Sequence, residues 1–299
     1  MFLTDGGIET SLIFHQGIDL PEFAAFDLLK DEAGREALRA YFKPYIAIAR
    51  ERGLGFILDT ATWRASPDWA ARLGYSSESL DEANRRAVEL AAEIRAAEED
   101  ERTPIVIEAV VGPRGDGYKP TELMSAAEAE RYHAEQIATF AETDADMVTG
   151  VTMTYAEEAI GIVRAARGAG MPVAVSFTVE TDGRLPNGQP LGDAIEQVDA
   201  ETDAAPVYYM INCAHPTHFA AVLEAGAPWL KRIGGIRANA STQSHAELDE
   251  AEELDDGDPA ELASQYAGLQ PQLGNVRVLG GCCGTDQRHV AAIGAAWPG

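Results

Sequence analysis

The sequence is poor in basic residues. Only 23 Lys and Arg stand against 49 Asp and Glu in 299 residues, which gives a formal net charge of -26. A surface of this charge repels phosphate backbones and anionic lipid headgroups. We therefore expect neither a nucleic acid nor a membrane surface as a partner.

Long hydrophobic runs are also missing, although 46% of the residues are hydrophobic, enough for a large core. No apolar stretch approaches the roughly 18–20 residues of a membrane span. The first residues, MFLTDGGIETSLIF, have no basic start followed by a long apolar stretch, as a secretory signal peptide would. These features predict a cytoplasmic protein.

Cysteine is scarce as well, with only Cys213, Cys282 and Cys283. Three cysteines are too few for a disulfide framework, and the adjacent pair would form a strained bridge. In a reducing cytoplasm, three thiols suit a metal or redox role better than a structural disulfide.

The chain alternates short β-rich runs with longer amphipathic stretches. Strands are predicted at residues 2–5, 55–60, 104–110, 146–151, 172–178, 206–212, 232–236 and 276–280. Helices are predicted at 34–52, 66–99, 125–143, 155–169, 190–202, 215–225, 259–268 and 285–294. Eight strand–helix units favour an α/β fold with a single (β/α)8 TIM barrel over residues 1–299; an open doubly wound sheet is the alternative.

One segment is out of character with this alternation. Residues 244–258, SHAELDEAEELDDGD, are nearly all acidic or small and lie between the seventh and eighth predicted strands. Such an insertion predicts a solvated surface element, with a lid over the active site as the alternative.

Unusual residues follow three of the predicted strands. Asp5-Gly6-Gly7 follows the first strand, Asn212-Cys213 ends the sixth, and Gly-Gly-Cys-Cys-Gly at 280–284 follows the eighth. In this fold, catalytic groups lie at the carboxyl ends of the strands. The barrel would therefore bring Cys213 close to Cys282 and Cys283.

Three converging thiolates with an open fourth position make a catalytic zinc site. For each cysteine alone, the alternative is a small buried hydrophobic residue. His215 and His218 are weaker ligand candidates, because they begin a helix and the cysteine pair already completes the site. Asn212 is expected to orient the site through a hydrogen bond.

A zinc site of this kind suits methyl transfer to a thiol. A free thiol is mostly protonated at neutral pH, whereas a zinc-bound one is deprotonated. We therefore expect a zinc-activated substrate thiolate to be the nucleophile, with no separate protein nucleophile.

The motifs Leu-Thr-Asp-Gly-Gly at 3–7, Ile-Asn-Cys at 211–213 and Gly-Gly-Cys-Cys-Gly-Thr at 280–285 resemble the homocysteine S-methyltransferase family. The resemblance runs in order from residue 3 to about 293. It implies a zinc-bearing (β/α)8 barrel with Cys213, Cys282 and Cys283 as ligands. It also implies that Asp5, Gly6 and Gly7 line the site for the amino-acid thiol, with the glycine N–H groups facing its carboxylate.

The first departure from the family follows the fourth strand. Val151 stands where the family carries a glutamate that binds the ammonium of homocysteine. Either another acid replaces it, with Glu9, Glu108 and Glu180 as candidates, or the acceptor is not homocysteine.

The second departure follows the second strand, where the family faces its methyl donor. Thr60, Trp63 and Arg64 belong to this stretch. Because Thr152 follows the glutamate position in place of a tyrosine, the aromatic cage for a quaternary ammonium is incomplete, which disfavours betaine. Arg64 is expected to grip a donor carboxylate or to form a surface salt bridge, and Trp63 to stack on a sulfonium or simply to pack.

The sequence thus predicts a zinc-dependent S-methyltransferase that moves a methyl group from a donor of the S-methylmethionine or S-adenosylmethionine type to homocysteine, giving methionine. The alternatives are a different thiol acceptor and a non-catalytic zinc- or thiol-binding barrel. The expected partners are a small-molecule thiol acceptor and a methyl donor. Both a monomer and a homo-oligomer remain open.

Overall fold

Eight parallel strands form a closed barrel in the computed structural model, which describes residues 1–120, 123–224, 226–251 and 253–297. The strands are β1 Phe2–Leu3, β2 Gly55–Asp59, β3 Ile105–Val111, β4 Met147–Met153, β5 Val173–Phe177, β6 Tyr209–Asn212, β7 Ile233–Ala238 and β8 Val278–Gly281. They follow one another around the barrel in chain order, and β1 pairs with β8 to close it. The predicted (β/α)8 barrel is confirmed.

Helices surround the barrel and connect its strands. The α-helices are α1 Ile8–Thr10, α2 Glu32–Arg52, α3 Pro67–Arg72, α4 Ser77–Glu98, α5 Ala126–Ala141, α6 Ala156–Gly168, α7 Leu191–Thr202, α8 Pro216–Phe219, α9 His245–Asp249, α10 Pro259–Leu269 and α11 Gln287–Ala296. A π-helical turn at Ser11–His15 follows α1, and 3-10 turns lie at Pro21–Phe23, Ala25–Lys30, Ala220–Val222 and Pro228–Arg232. No helix in the described ranges is long and apolar enough to cross a membrane.

The sequence explains why these elements form where they do. Strands such as β4 and β5 are buried along their whole length, because helices cover the outside of the barrel and side chains fill its inside. Ser76, Ser125 and Asp286 form capping boxes at the starts of α4, α5 and α11, where they accept hydrogen bonds from backbone N–H groups that have no partner within the helix.

Two predicted helices differ from the structure. The predicted helix 66–99 is divided into α3 and α4, because the chain turns at Gly74 with a φ of +80°. The predicted helix 215–225 is limited to α8 and the 3-10 turn Ala220–Val222, and its last residue lies outside the described residues.

The acidic segment 244–258 lies at the carboxyl end of the barrel. It begins with α9, which Ser244 caps, and ends at Asp258, which caps α10; residue 252 lies outside the described residues. Leu248, Leu254 and Asp255 are among its residues that line the central cavity. Most of the segment is exposed to solvent, as predicted for a surface element, and part of it borders this cavity.

Candidate active site

A cavity of about 530 Å³ opens at the carboxyl ends of the strands. It is lined by the three cysteines and by eight of the ten predicted substrate-site residues, namely Gly6, Gly7, Glu9, Thr60, Trp63, Arg64, Val151 and Asn212. The other two, Asp5 and Glu108, are buried elsewhere, each with 1% of its surface exposed. The structure thus brings together most of the residues that sequence analysis selected.

The three cysteines converge although 70 residues separate Cys213 from Cys283. Their Sγ atoms all lie within 4.8 Å of one another, and those of Cys213 and Cys283 are 3.9 Å apart. Within the described ranges, no other group of three or more His, Cys, Asp or Glu side chains brings potential ligand atoms together in this way.

The predicted alternative ligands point to other partners. His215 caps α8 through its Nδ1 atom, which lies 2.8 Å from Thr217 Oγ1. The Nε2 of His218 donates to the carbonyl oxygen of Thr242 at 2.9 Å. Both contacts stabilise the chain that follows Cys213, so neither histidine belongs to the cysteine cluster.

The donor set fits a zinc ion. Three soft sulfur atoms from free cysteines lie together beside the cavity, and a zinc ion held by them would take its fourth ligand from there. Hydrogen bonds from the Cys213 and Cys283 thiols hold the pKa of Cys282 well below its usual value, and Arg237 lowers it further. Hydrogen bonding to Cys282 conversely raises the pKa of Cys213. The cluster thus favours ionisation of Cys282 over that of its two neighbours, and a cation would favour ionisation of all three.

A polar side chain approaches each sulfur. Asn212 Nδ2 lies 3.9 Å from Cys282 Sγ, and the hydroxyls of Tyr118 and Thr152 lie 3.6 Å from Cys283 Sγ and 4.0 Å from Cys213 Sγ. The position of Asn212 fits the orienting role that the sequence predicted for it.

Asn212 is itself held from two sides. Its Oδ1 accepts hydrogen bonds from Ser176 Oγ at 2.6 Å and from the backbone N–H of Thr152 at 3.1 Å. Its Nδ2 donates to Thr152 Oγ1 at 2.8 Å. Because every one of these groups is buried, the amide has one favoured orientation.

Sequence analysis missed Tyr118 and His245 as neighbours of the site. Their rings are stacked with centroids 4.1 Å apart, and His245 Nε2 donates to the Cys213 carbonyl at 2.7 Å. His245 Nδ1 lies 3.1 Å from a carboxylate oxygen of Glu180, so this third candidate acid already has a partner. The signal in the sequence was the single histidine at the start of an otherwise acidic segment.

Asp5 faces a buried arginine. Arg237 donates to Asp5 at 2.5 Å and also to Asp59, and the Tyr41 hydroxyl donates to Asp5 at 2.9 Å. Burial raises the pKa of Asp5 to about 8. Arg237 was missed because the predicted seventh strand ended at residue 236, whereas β7 continues to Ala238.

Glu108 is buried inside the barrel with one carboxyl oxygen paired, while its Oε2 has no hydrogen-bond partner among the described residues. Its Oε1 accepts a hydrogen bond from Thr149 Oγ1 at 2.6 Å, and burial raises its pKa to about 8. Its carboxyl group does not line the cavity, so it is not available to a ligand there.

Gly7 allows the first loop to approach the cysteine pair. A Cβ atom at this position would lie 2.4 Å from Thr10 Oγ1 and 2.7 Å from the carbonyl oxygen of Cys282, distances that require glycine. The N–H of Gly7 donates to the Thr285 carbonyl at 3.0 Å. The resemblance implied that this N–H faces the substrate carboxylate, whereas in the structure it is paired within the protein.

Trp63 and Arg64 belong to an aromatic group on the cavity wall. The Arg64 guanidinium carbon lies 3.8 Å from the ring centroid of Trp69 and 5.1 Å from that of Trp63. Trp63 Nε1 donates to the Val151 carbonyl at 3.2 Å, so both packing and a hydrogen bond fix the indole. Burial lowers the pKa of Arg64, and only 14% of its side chain is exposed. Its guanidinium lies 4.0 Å from an Asp116 carboxylate oxygen and donates to the Glu22 carbonyl, so the salt bridge that the sequence left open is present but largely buried.

Comparisons with known proteins agree with this fold and identify a family. A family model described as homocysteine S-methyltransferase matches residues 2–297. The metallated form of the homocysteine methyltransferase MmuM from Escherichia coli superposes with a TM-score of 0.76 at 21% identity, covering 99% of this chain and 96% of that one. The oxidized form of the same protein superposes with a TM-score of 0.76 at 23% identity, covering 99% of this chain and 95% of that one. No curated protein sequence matched the chain.

Proposed function

Because the chain belongs to the homocysteine S-methyltransferase family and is thus a methyltransferase, we propose that it methylates homocysteine and releases methionine. The proposed donor is a small sulfonium of the S-methylmethionine or S-adenosylmethionine type. The observation that carries the proposal is the cluster of three cysteine sulfurs, within 4.8 Å of one another, beside a cavity of about 530 Å³.

We infer that Cys213, Cys282 and Cys283 hold a zinc ion. When bound, Zn²⁺ supplies a positive centre that lowers the pKa of a thiol ligand, so that the acceptor is a thiolate at neutral pH. Asn212, Thr152 and Tyr118 keep the cysteine sulfurs in place through the contacts described above.

The reaction itself requires little covalent chemistry from the protein. The acceptor thiol loses its proton, a bond forms between its sulfur and the methyl carbon, and the bond between that carbon and the donor sulfonium breaks. The electron pair of the broken bond remains on the donor sulfur, which leaves as a neutral thioether. The protein's contribution is to align the two sulfurs and to exclude water.

The aromatic group with Arg64 is the proposed donor side of the cavity. Trp63 presents a fixed indole to the cavity, suited to contact with a sulfonium. No described residue accepts a hydrogen bond from the buried Nε of Arg64. We propose that Arg64 uses this group to bind a donor carboxylate.

A second candidate keeps the chemistry but changes the acceptor. Val151 lines the cavity and cannot pair with an ammonium group, so a thiol without an amino group would fit this wall as well. Family membership favours both candidates over the non-catalytic alternative. The cytoplasmic location and the choice between monomer and homo-oligomer remain predictions.

The proposal is tested by elemental analysis of zinc and by methyl transfer to homocysteine from S-methylmethionine, S-adenosylmethionine and betaine. We expect one zinc per chain and methionine formation with a sulfonium donor but not with betaine. Zinc without methionine from any donor would move the assignment to another acceptor.

Cys282→Ser provides the matched variant. Because a serine hydroxyl is a poor zinc ligand, we expect the variant to lose both the metal and the activity. Circular dichroism checks that it is folded. Full activity with bound zinc would contradict the ligand assignment.

A further inference from the structure

Seven acidic side chains line the cavity, and most of them already have a partner. They are Glu9, Glu22, Asp59, Asp116, Asp249, Glu253 and Asp255. Three of them form ion pairs: Glu22 with Arg72 at 3.2 Å, Asp59 with Arg237, and Asp249 with Lys119 at 2.7 Å. Asp255 accepts a hydrogen bond from Ser241 at 2.6 Å, and Asp116 accepts two from backbone N–H groups at 2.8 and 3.0 Å. Glu253 is exposed. Glu9 is the remaining acid.

The Glu9 carboxylate is partly buried, and no side chain among the described residues donates a hydrogen bond to it or lies within ion-pair distance. Burial raises its pKa to about 7. A carboxylate in such a place is unfavourable unless a cation joins it. The backbone N–H of Glu9 is bonded to the carboxyl group, and Arg64 and Arg237 act on it only from beyond ion-pair distance. The cavity therefore contains one carboxyl group with which no side chain of the described residues pairs directly.

The position of Glu9 places it on the acceptor side. It follows Gly7 by two residues, and the Gly7 backbone packs against the carbonyl oxygen of Cys282. Glu9 lines the same cavity as the three cysteines. An amino acid whose sulfur lies at the cysteine cluster would therefore extend its polar end towards Glu9.

We propose that Glu9 is the counter-ion for the ammonium group of the acceptor amino acid, in place of the acid that Val151 lacks. The inference rests on the proposed function, because it takes the acceptor to be an α-amino acid with a side-chain thiol. An ammonium group on the methyl donor is the other group with which Glu9 would pair, and the experiment below separates the two.

The test compares wild type with Glu9→Gln on two acceptors, L-homocysteine and 4-mercaptobutanoate, which keeps the thiol and carboxylate but lacks the amino group. Hydrogen bonds to charged groups contribute about 1.5–3 kcal/mol, so we expect KM for homocysteine to rise roughly 10-fold or more. KM for 4-mercaptobutanoate and KM for the donor should not change. Glu253→Gln, which removes an exposed cavity acid, is the control and should leave all three values unchanged.

Calorimetric titration of each acceptor into the zinc-loaded protein gives the same comparison without a donor. The role of Glu9 would be overturned if Glu9→Gln weakened the binding of both acceptors equally, or if it raised only the KM for the donor. It would also be overturned if wild type and Glu9→Gln bound homocysteine with equal affinity. Wild type that binds neither acceptor would contradict the proposed function as well. Glu9→Asp keeps the carboxyl group on a shorter side chain, so its affinity for homocysteine should lie between those of wild type and Glu9→Gln. An affinity as low as that of Glu9→Gln would count against a counter-ion role.

Discussion

At the scale of single residues, Asn212 links the cysteine cluster to the barrel. Its side chain contacts Cys282 Sγ at 3.9 Å and is fixed by Ser176 and Thr152 on two other strands. Groups that orient metal ligands contribute to metal affinity without touching the ion. The sequence identified Asn212 because it adjoins Cys213, but only the barrel supplied its partners.

Asn212→Ala should therefore weaken zinc binding by roughly 10- to 100-fold. Competition with a chromogenic chelator measures the change. The matched control is Asn275→Ala, because Asn275 donates only to the Lys231 carbonyl on the exposed surface. Equal zinc affinity in the two variants would show that Asn212 does not orient the site.

At the scale of elements, the acidic segment is attached to the loop that contains the cysteine pair. Asp256 pairs with Arg288 at 2.6 Å, and the Gly284 backbone approaches the Asp255 carbonyl. On its other side, Asp249 pairs with Lys119 at 2.7 Å. Exposed ion pairs of this kind contribute little to stability, so close backbone packing is the stronger constraint on the segment.

Gly284→Ala tests this packing. Gly284 has a φ of +79°, and a Cβ atom would lie 2.7 Å from the Asp255 carbonyl oxygen. We expect a loss of about 1–3 kcal/mol in the free energy of unfolding, measured by urea denaturation. Gly268→Ala is the control, because Gly268 is helical with nothing within 4 Å of the added Cβ, and it should be neutral or stabilising by up to about 1 kcal/mol. Similar effects in both variants would contradict the close packing at Gly284.

At the scale of the whole molecule, the barrel buries several carboxyl groups together. Asp5 and Glu108 each have a pKa raised to about 8 by burial, from usual values of 3.8 and 4.5. Between about pH 4 and pH 8, the folded chain therefore holds protons that the unfolded chain has already released. The stability that these groups contribute is complete below their unfolded pKa values and is lost as the pH rises through the folded values.

The free energy of unfolding of the zinc-free, reduced protein should consequently fall between pH 5 and pH 8, by at least about 1 kcal/mol. Urea denaturation at a series of pH values measures it, with zinc removed so that metal release at low pH does not contribute. Glu108→Gln should reduce the slope, whereas Glu253→Gln should not. A free energy that rises over this range would exclude protonated carboxyl groups in the barrel.

The sequence by itself determined the fold and the metal-binding candidates. All eight strands were predicted, because the buried strands of a parallel barrel are short, continuous apolar runs between amphipathic helices. Cys213, Cys282 and Cys283 were selected because they follow directly after two of the predicted strands, and that local pattern is enough to place them at one end of a barrel.

Only the tertiary structure decided which polar groups pair. Arg237 lies 232 residues from Asp5 and 178 from Asp59, and its contacts pair it with Asp5, which does not line the cavity, and with one oxygen of Asp59, which does. No side chain in the described part of the chain pairs with Glu9 in this way, and the acidic segment, although largely exposed, borders the cavity. These outcomes depend on distances between residues far apart in the chain, which a one-dimensional pattern does not contain, because hydrogen bonds and burial are properties of the closed barrel.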